Sequence, residues 1–423
     1  MYKTILGIEG SDFTINGKLT YANIAGTNPQ AHGLLMNARF IQGIFDDKAE
    51  PSRFSRYGYV WDPDENTNRL IAALPEWKKY GLLGFTVGLQ GGMPVLTINN
   101  TTIDNNPYSE DGKTIDAAYL SRLERLLCAA DNLGMVVIVS MLYQGQSNRM
   151  ADGRCIRNAV TACSHFLKDT SYSNIIIEVA NEYNVGNFRN HPLVYYPEGI
   201  VSLIDLARKE SGGLPTGSSG GGLHYSPEVC AASDVILIHG NGATEQTYYD
   251  MIRDIKSLQM GRPIVCNEDS PRFTQLKVAM RTHTSWGYYN THTKQDPPAN
   301  WSISPGEDQF FAWRMAHAIG LSVPEIPYPE QFRLMGFEPD FTYMNKRWIR
   351  LASLYPEKID FVDFYRNGAL FDTAYEQPFY VLHRTTWFQD GVEVTYTDDE
   401  WTAVIHLHSG EIIERTGHTQ PTK

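Results

Sequence analysis

From Leu34 onward one pattern repeats along the chain: a short unbroken apolar run, a polar loop, then a stretch whose apolar positions fall three and four apart. Eight runs read as strands: LLMNARFI from Leu34, LLGFTVGL from Leu82, MVVIVSML from Met135, NIIIEVA from Asn174, LPTGSS from Leu214, DVILIHG from Asp234, RPIVCNE from Arg262 and SWGYYN from Ser285. The stretches between them predict helices, most clearly over Ala117 to Leu133 and Asp308 to Ile319. Unbroken apolar strands separated by helices predict parallel strands buried on both faces. Eight of them in this length match an α/β fold of the (β/α)₈ TIM-barrel type. The competing layout, a doubly wound open sheet, usually announces a nucleotide by a glycine fingerprint after its first strand. None follows here, and SSGGGLH, Ser218 to His224, lacks both the Walker and the Rossmann spacing. It reads as a flexible loop after a strand.

The two ends break the pattern. ILGIEGSDFTINGKLTY, near the start, predicts a hairpin turning at Asn16-Gly17. From Asp360 the segments FYVLHRTTWF, VEVTYT and WTAVIHLH alternate in the manner of antiparallel strands. Pro324, Pro327 and Pro329 exclude one regular helix from LSVPEIPYPEQF, which is a surface excursion or a connector. The expected organisation is a barrel over 25–350, with 1–24 and 360–423 forming a small additional β region packed against it.

Composition narrows the function. The formal charge of −12, from 36 Lys and Arg against 48 Asp and Glu, argues against nucleic acid or an anionic membrane as the main partner. The five cysteines lack a CxxC or zinc-ribbon spacing, so neither a disulfide scaffold nor a sequence-local metal site follows. No segment has the apolar length of a membrane span, and MYKTILGIEG is too short and too weakly charged to be a signal peptide. Localisation and oligomeric state stay open.

In a (β/α)₈ barrel the chemistry sits at the carboxyl ends of the strands. Two apolar runs finish on glutamates there, Glu182 in IIIEVANE and Glu268 in PIVCNE. Glutamate is seldom buried without a partner or a task, and each is otherwise a strand-end salt-bridge residue. A carboxylate pair suits acetal hydrolysis, which needs one group protonated and one ionised, and no metal or organic cofactor.

ANEYN, Ala180 to Asn184, resembles the Asn-Glu signature closing strand four of the retaining barrel glycoside hydrolases, the clan with cellulase-like and mannanase-like families. The likeness covers residues 30–320, although Tyr183 stands where the cellulase-like motif has Pro. It implies that Glu182 is the acid/base, that Asn181 binds a sugar 2-hydroxyl and that Glu268, in IVCNED, is the nucleophile. It also implies that Arg39 orients the nucleophile, that His239 approaches it, and that Trp286 of the Trp286, Tyr288 and Tyr289 group floors a sugar subsite. Carboxyl groups about 5 to 5.5 Å apart are then expected, where an inverting pair needs about 6.5 to 9.5 Å. Arg39 is equally readable as a barrel-mouth salt bridge, His239 as a loop histidine and the aromatics as core.

In the loops after strands two and three, Gln90, Tyr143, Gln144 and Gln146 are candidates for hydroxyl binding or ordinary loop residues. GSSGG, from Gly217, is not a nucleophile elbow. A metal-dependent hydrolase built on His224 and His239 is one alternative, and a barrel that binds carbohydrate without turning it over is another.

Overall fold

The computed structural model describes residues 3–57, 60–97, 99–337, 344–384, 386, 388–395 and 398–419. Each of the eight apolar runs contains a strand. They are β1 Asn37–Arg39, β2 Gly84–Gly88, β3 Val136–Tyr143, β4 Ile175–Asn181, β5 Thr216–Gly217, β6 Ile236–His239, β7 Ile264–Glu268 and β8 Gly287–Tyr288. Six form one parallel sheet in the order β8-β1-β2-β3-β4-β5, and β6 pairs in parallel with β7. Between the two sheets run a parallel bridge, Val265 to Ser285, and the Asp234 N–H bond to the Thr216 carbonyl. Every residue of β2 and β4 is buried, as strands covered on both faces must be.

The covering helices follow the apolar spacing. Ala117–Leu133 starts on the Asp116 side chain, which accepts the Ala118 N–H, and stops at Gly134, whose φ of 69° suits a residue without Cβ. Among the described residues no helix is long and apolar enough to cross a membrane.

The termini do not form one β region; they form separate sheets. The start is a three-stranded meander, Leu6–Glu9, Asp12–Ile15 and Lys18–Leu19, with Asn16 and Gly17 both at positive φ in its second turn. It lies at the amino ends of the parallel strands, where Ile5 bridges Ser173 and Thr4 bonds to Asp131. Antiparallel pairing begins at Phe332, where Phe332–Met335 pairs with Arg350–Ser353, and the proline-rich segment is the connector leading to it. A four-stranded sheet follows, built on Ile359–Arg366 and Asp399–Leu407, and the strict burial alternation of the latter strand reflects a second apolar core on one face. Of the expected tail strands, Thr385, Trp387, Tyr396 and Thr397 lie outside the described residues.

The tail is fastened to the rest by charge as well as by packing. Arg350 makes a two-pronged contact with Glu307, at 2.8 and 2.9 Å, with both side chains buried. Glu307 opens the helix Glu307–Ile319, so this pair ties the tail to the helix following β8. Removing one partner strands the other charge in a dry environment. Arg350→Leu is expected to lower stability by about 3 to 5 kcal/mol, read as a shift of the urea midpoint.

Candidate active site

The residues at the carboxyl ends of β1, β4, β6 and β7 meet in one cleft. Arg39 Nε lies 2.8 Å from Glu268 Oε2, and Arg39 Nη2 donates to Asn181 Oδ1 at 2.6 Å. His239 Nδ1 stands 3.1 Å from Glu182 Oε1 and 3.6 Å from Glu268 Oε2. One oxygen of each glutamate and a ring nitrogen of His239 all lie within 4.8 Å of one another.

Local backbone irregularities aim both carboxylates. Glu182 has φ 55°, a left-handed conformation a non-glycine residue adopts only when its surroundings impose it. Its N–H donates to Ser219 Oγ at 3.1 Å, and the Tyr183 N–H to the Ser219 carbonyl at 3.0 Å. At Gly221 a Cβ would stand 2.5 Å from Val185 Cγ1, so the close approach of the loop to Val185, three residues after Glu182, requires glycine there. On β7 the register shifts between Cys266 and Glu268, a bulge that brings Glu268 level with His239.

Burial pushes the Glu268 carboxyl above its ordinary pKa against the pull of Arg39 and His239, and the charges of Glu182 and Glu178 add to the push. Burial acts on Glu182 too, but the His239 hydrogen bond and the charges of His239 and Arg39 outweigh it and hold Glu182 below the usual value. His239 is fully buried, which disfavours its cation, yet the two carboxylates win and raise its pKa. These shifts favour charge on both partners of the 3.1 Å contact between His239 Nδ1 and Glu182 Oε1.

Of the expected residues, Arg39, Tyr143, Asn181, Glu182 and Glu268 line the cleft, and His239 lies against both glutamates from beneath. Two do not reach it. Gln90 is buried, with its oxygen accepting the Tyr143 N–H at 2.7 Å and its amide donating to Asn106. Trp286 is 0% exposed and bonds to Asp269 Oδ2 at 2.6 Å. The cause is strand parity: Trp286 and Tyr288 face the helix layer, where both meet Phe311, while Tyr289 faces the cleft with Arg39 over its ring at 5.6 Å.

Residues that sequence reasoning passed over complete the site. Asn241, two positions after His239, donates to Glu268 Oε1 at 2.7 Å; its place in LIHGNG was the available signal. Asp269, beside the nucleophile candidate, lines the cleft, as do Trp348, Tyr380 and Phe388 from the tail. For a metal, Glu182, His239 and Glu268 form the group close enough to share one among the described residues. Arg39, Asn241 and His239 already engage these oxygens, so a cation would compete with a guanidinium. His224 instead pairs with the Tyr183 hydroxyl at 3.0 Å.

The fold is one that glycoside hydrolases share. A proposed glycoside hydrolase from Bacteroides vulgatus superposes with a TM-score of 0.52 at 8% identity, over 98% of this chain and 76% of that one. The endo-β-1,4-mannanase of Thermotoga petrophila gives 0.46 at 9% identity over 92% and 97%. A calcium-binding mutant of Bacteroides uniformis β-glucuronidase 2 gives 0.47 at 10% identity over 99% of this chain, which spans only 47% of that protein. At such identities the likeness is one of fold. No protein-family model and no curated protein sequence matches the chain.

Burial raises the Asp269 pKa to about 8. A carboxyl whose folded pKa exceeds its unfolded value stabilises fully below the unfolded value and loses that contribution as pH rises through the folded one. Wild-type stability is thus expected to fall between about pH 4 and about pH 8 through this group. Asp269→Asn should flatten that decline, measured as urea midpoints across the range.

Proposed function

We propose that the chain is a retaining glycoside hydrolase that cleaves β-glycosidic bonds in an oligo- or polysaccharide, on a closed (β/α)₈ barrel. The Val265 bridge to Ser285 and the Asp234 bond to Thr216 support closure, since they join the two parallel sheets at both seams. The observation carrying the activity is the approach of Glu182 and Glu268 to within 4.8 Å beside His239. One oxygen of each carboxylate this close to the other favours the separation of about 5 to 5.5 Å of a retaining pair over the about 6.5 to 9.5 Å of an inverting one.

In the first step Glu182 gives its proton to the glycosidic oxygen as the C1–O bond breaks, and a Glu268 oxygen bonds to C1. In the second, water attacks C1, Glu182 takes its proton and the C1–Glu268 bond breaks. These roles ask for Glu182 protonated and Glu268 ionised, whereas the pKa shifts described above run the other way. Donor geometry favours the assignment. Arg39 at 2.8 Å, Asn241 at 2.7 Å and His239 at 3.6 Å converge on Glu268, and charge-assisted donors hold an anion best. Glu182 faces one side-chain donor, His239. A sugar resting on it removes its remaining water, so burial then favours its neutral form and draws the proton from His239 Nδ1.

Asn181, its oxygen held by Arg39, keeps its amide donors for a sugar hydroxyl, and Tyr143 and Tyr289 supply further cleft wall. Carbohydrate is the proposed partner, with no metal or organic cofactor taking part in the chemistry.

An activated 2-deoxy-2-fluoro β-glycoside should label the protein covalently, with the adduct on the Glu268 peptide by mass spectrometry. Label elsewhere, or none across a panel of sugars, refutes the nucleophile. Glu182→Ala should lose about 10² to 10⁴ in kcat/KM on glycosides with poor leaving groups, the size of a general-acid contribution, and little on dinitrophenyl glycosides. Equal losses on both oppose the acid/base role.

A further inference from the structure

Three residues of the tail, Trp348, Tyr380 and Phe388, line the cleft that holds Glu182 and Glu268, although they come from the segment beyond the last parallel strand. Their position relative to the two glutamates decides what they do. Glu268 ends β7, and β8, β1 and β2 follow it in the ring of strands, with β8 paired to β1 and β1 to β2. Glu182 stands on the other side, beside the loops after β4, β5 and β6.

The tail residues are fixed on the Glu268 side. The Tyr380 hydroxyl lies 3.4 Å from Nδ1 of His292, a residue just past β8, and the Trp348 ring centre lies 5.7 Å from that of His292. Leu96, in the loop after β2, packs with Trp348 and Tyr380 in one apolar cluster. Gln377 bonds to Thr274, at the head of the helix following β7. Leu96, Trp348 and Tyr380 are each at most 4% exposed, so the tail and the loop after β2 are packed against each other on this side. The Glu182 side is lined instead by Gly186, Gly221, Gly222 and Gly242 with Gln144, Val185 and Asn241, and no residue of the tail reaches it among those lining the cleft there. The cavity enclosed between the two sides has a volume of about 430 Å³.

The chemistry gives the two sides a polarity. A nucleophile bonds to the anomeric carbon, which belongs to the sugar on the non-reducing side of the broken bond, while the acid reaches the oxygen of the leaving group. Glu268 therefore marks the glycone end of the cleft and Glu182 the aglycone end. We infer that the C-terminal β region closes the glycone end one ring beyond the reacting carbon, so that the enzyme removes single sugars from non-reducing chain ends. This rests on the double-displacement reading above. Tail and parallel-strand unit then build the sugar pocket jointly, and the Arg350–Glu307 pair fixes the tail residues across it.

The test uses the wild-type protein and β-linked tetraoses of the sugar whose 4-nitrophenyl glycoside is turned over, labelled at the reducing end. The expected early products are free monosaccharide and a labelled trisaccharide. A labelled mono- or disaccharide appearing first overturns the inference, as does a rapid fall in viscosity of the matching polymer. Phe388→Ala and Trp348→Ala, which open the wall, should raise KM for the 4-nitrophenyl monoglycoside several-fold more than they lower kcat, and should let labelled disaccharide appear. Unchanged KM in a folded Phe388→Ala protein counts against the wall. Covalent labelling of Glu268 by the fluorinated glycoside separates the two readings. With labelling and internal cleavage only the end-on mode falls, and without labelling the chemistry falls first.

Discussion

Two carboxylates share one cleft, Glu268 buried and Glu182 partly so, and the groups around them answer the cost of keeping them there. Placed within a few ångströms and away from water, like charges repel strongly enough that both ionise only if cations lie as close. Arg39 and His239 meet that demand from two different strands, one guanidinium against Glu268 and one imidazole between the pair. The group is neutral overall when either His239 or Glu182 carries the extra proton. Its charge balance thus survives transfer of that proton across the 3.1 Å contact between His239 Nδ1 and Glu182 Oε1.

That balance explains the architecture better than any single element does. Arg39 bonds at once to Glu268 and Asn181, so β1, β4 and β7 are held together by one side chain. No local segment supplies two such partners; strands whose carboxyl ends point into a common mouth do so. The irregular segments serve the same end. Ser219 and Gly221, in the loop after β5, fix and accommodate the backbone that turns Glu182 inward, and the tail behind Arg350 reaches the cleft from the far side of β8.

The strands and the charged core of the site were legible because both follow from short-range pattern. Apolar runs mark buried strands, and a polar residue closing such a run stands at the rim, which singled out Glu182 and Glu268, while the resemblance to the barrel glycoside hydrolases added Arg39 and His239. What escaped depends on parity or on distance along the chain. Trp286 and Tyr289 differ by an odd number of positions, so a strand that starts one residue later swaps which of them sees the cleft. Gln90 has the look of an exposed loop amide, but Asn106, farther along the same long connection, and Tyr143, at the end of β3, bury it. The tail residues at the cleft were invisible for the same reason. Nothing between Trp348 and Phe388 records that their segment folds back over β8.

The bulge on β7 resolves a conflict that a regular strand cannot. Successive residues of a strand face opposite sides, yet Asn267 and Glu268 both have partners on the inner side of the sheet. The Asn267 amide donates to Glu178 Oε1 at 3.0 Å, within the strand layer, while Glu268 meets Arg39 and His239 at the rim. The register shift between Cys266 and Glu268 lets two neighbours turn the same way. Glu178 is wholly buried and its charge is one of those pressing on Glu268, so Asn267 caps the carboxylate directly below the site. A regular β7 would leave one of the two uses unmet, either a bare Glu178 in the core or a Glu268 turned away from Arg39. Each glutamate of the pair thus stands on a backbone departure, a left-handed residue at one and an extra residue at the other, where function outweighs local regularity.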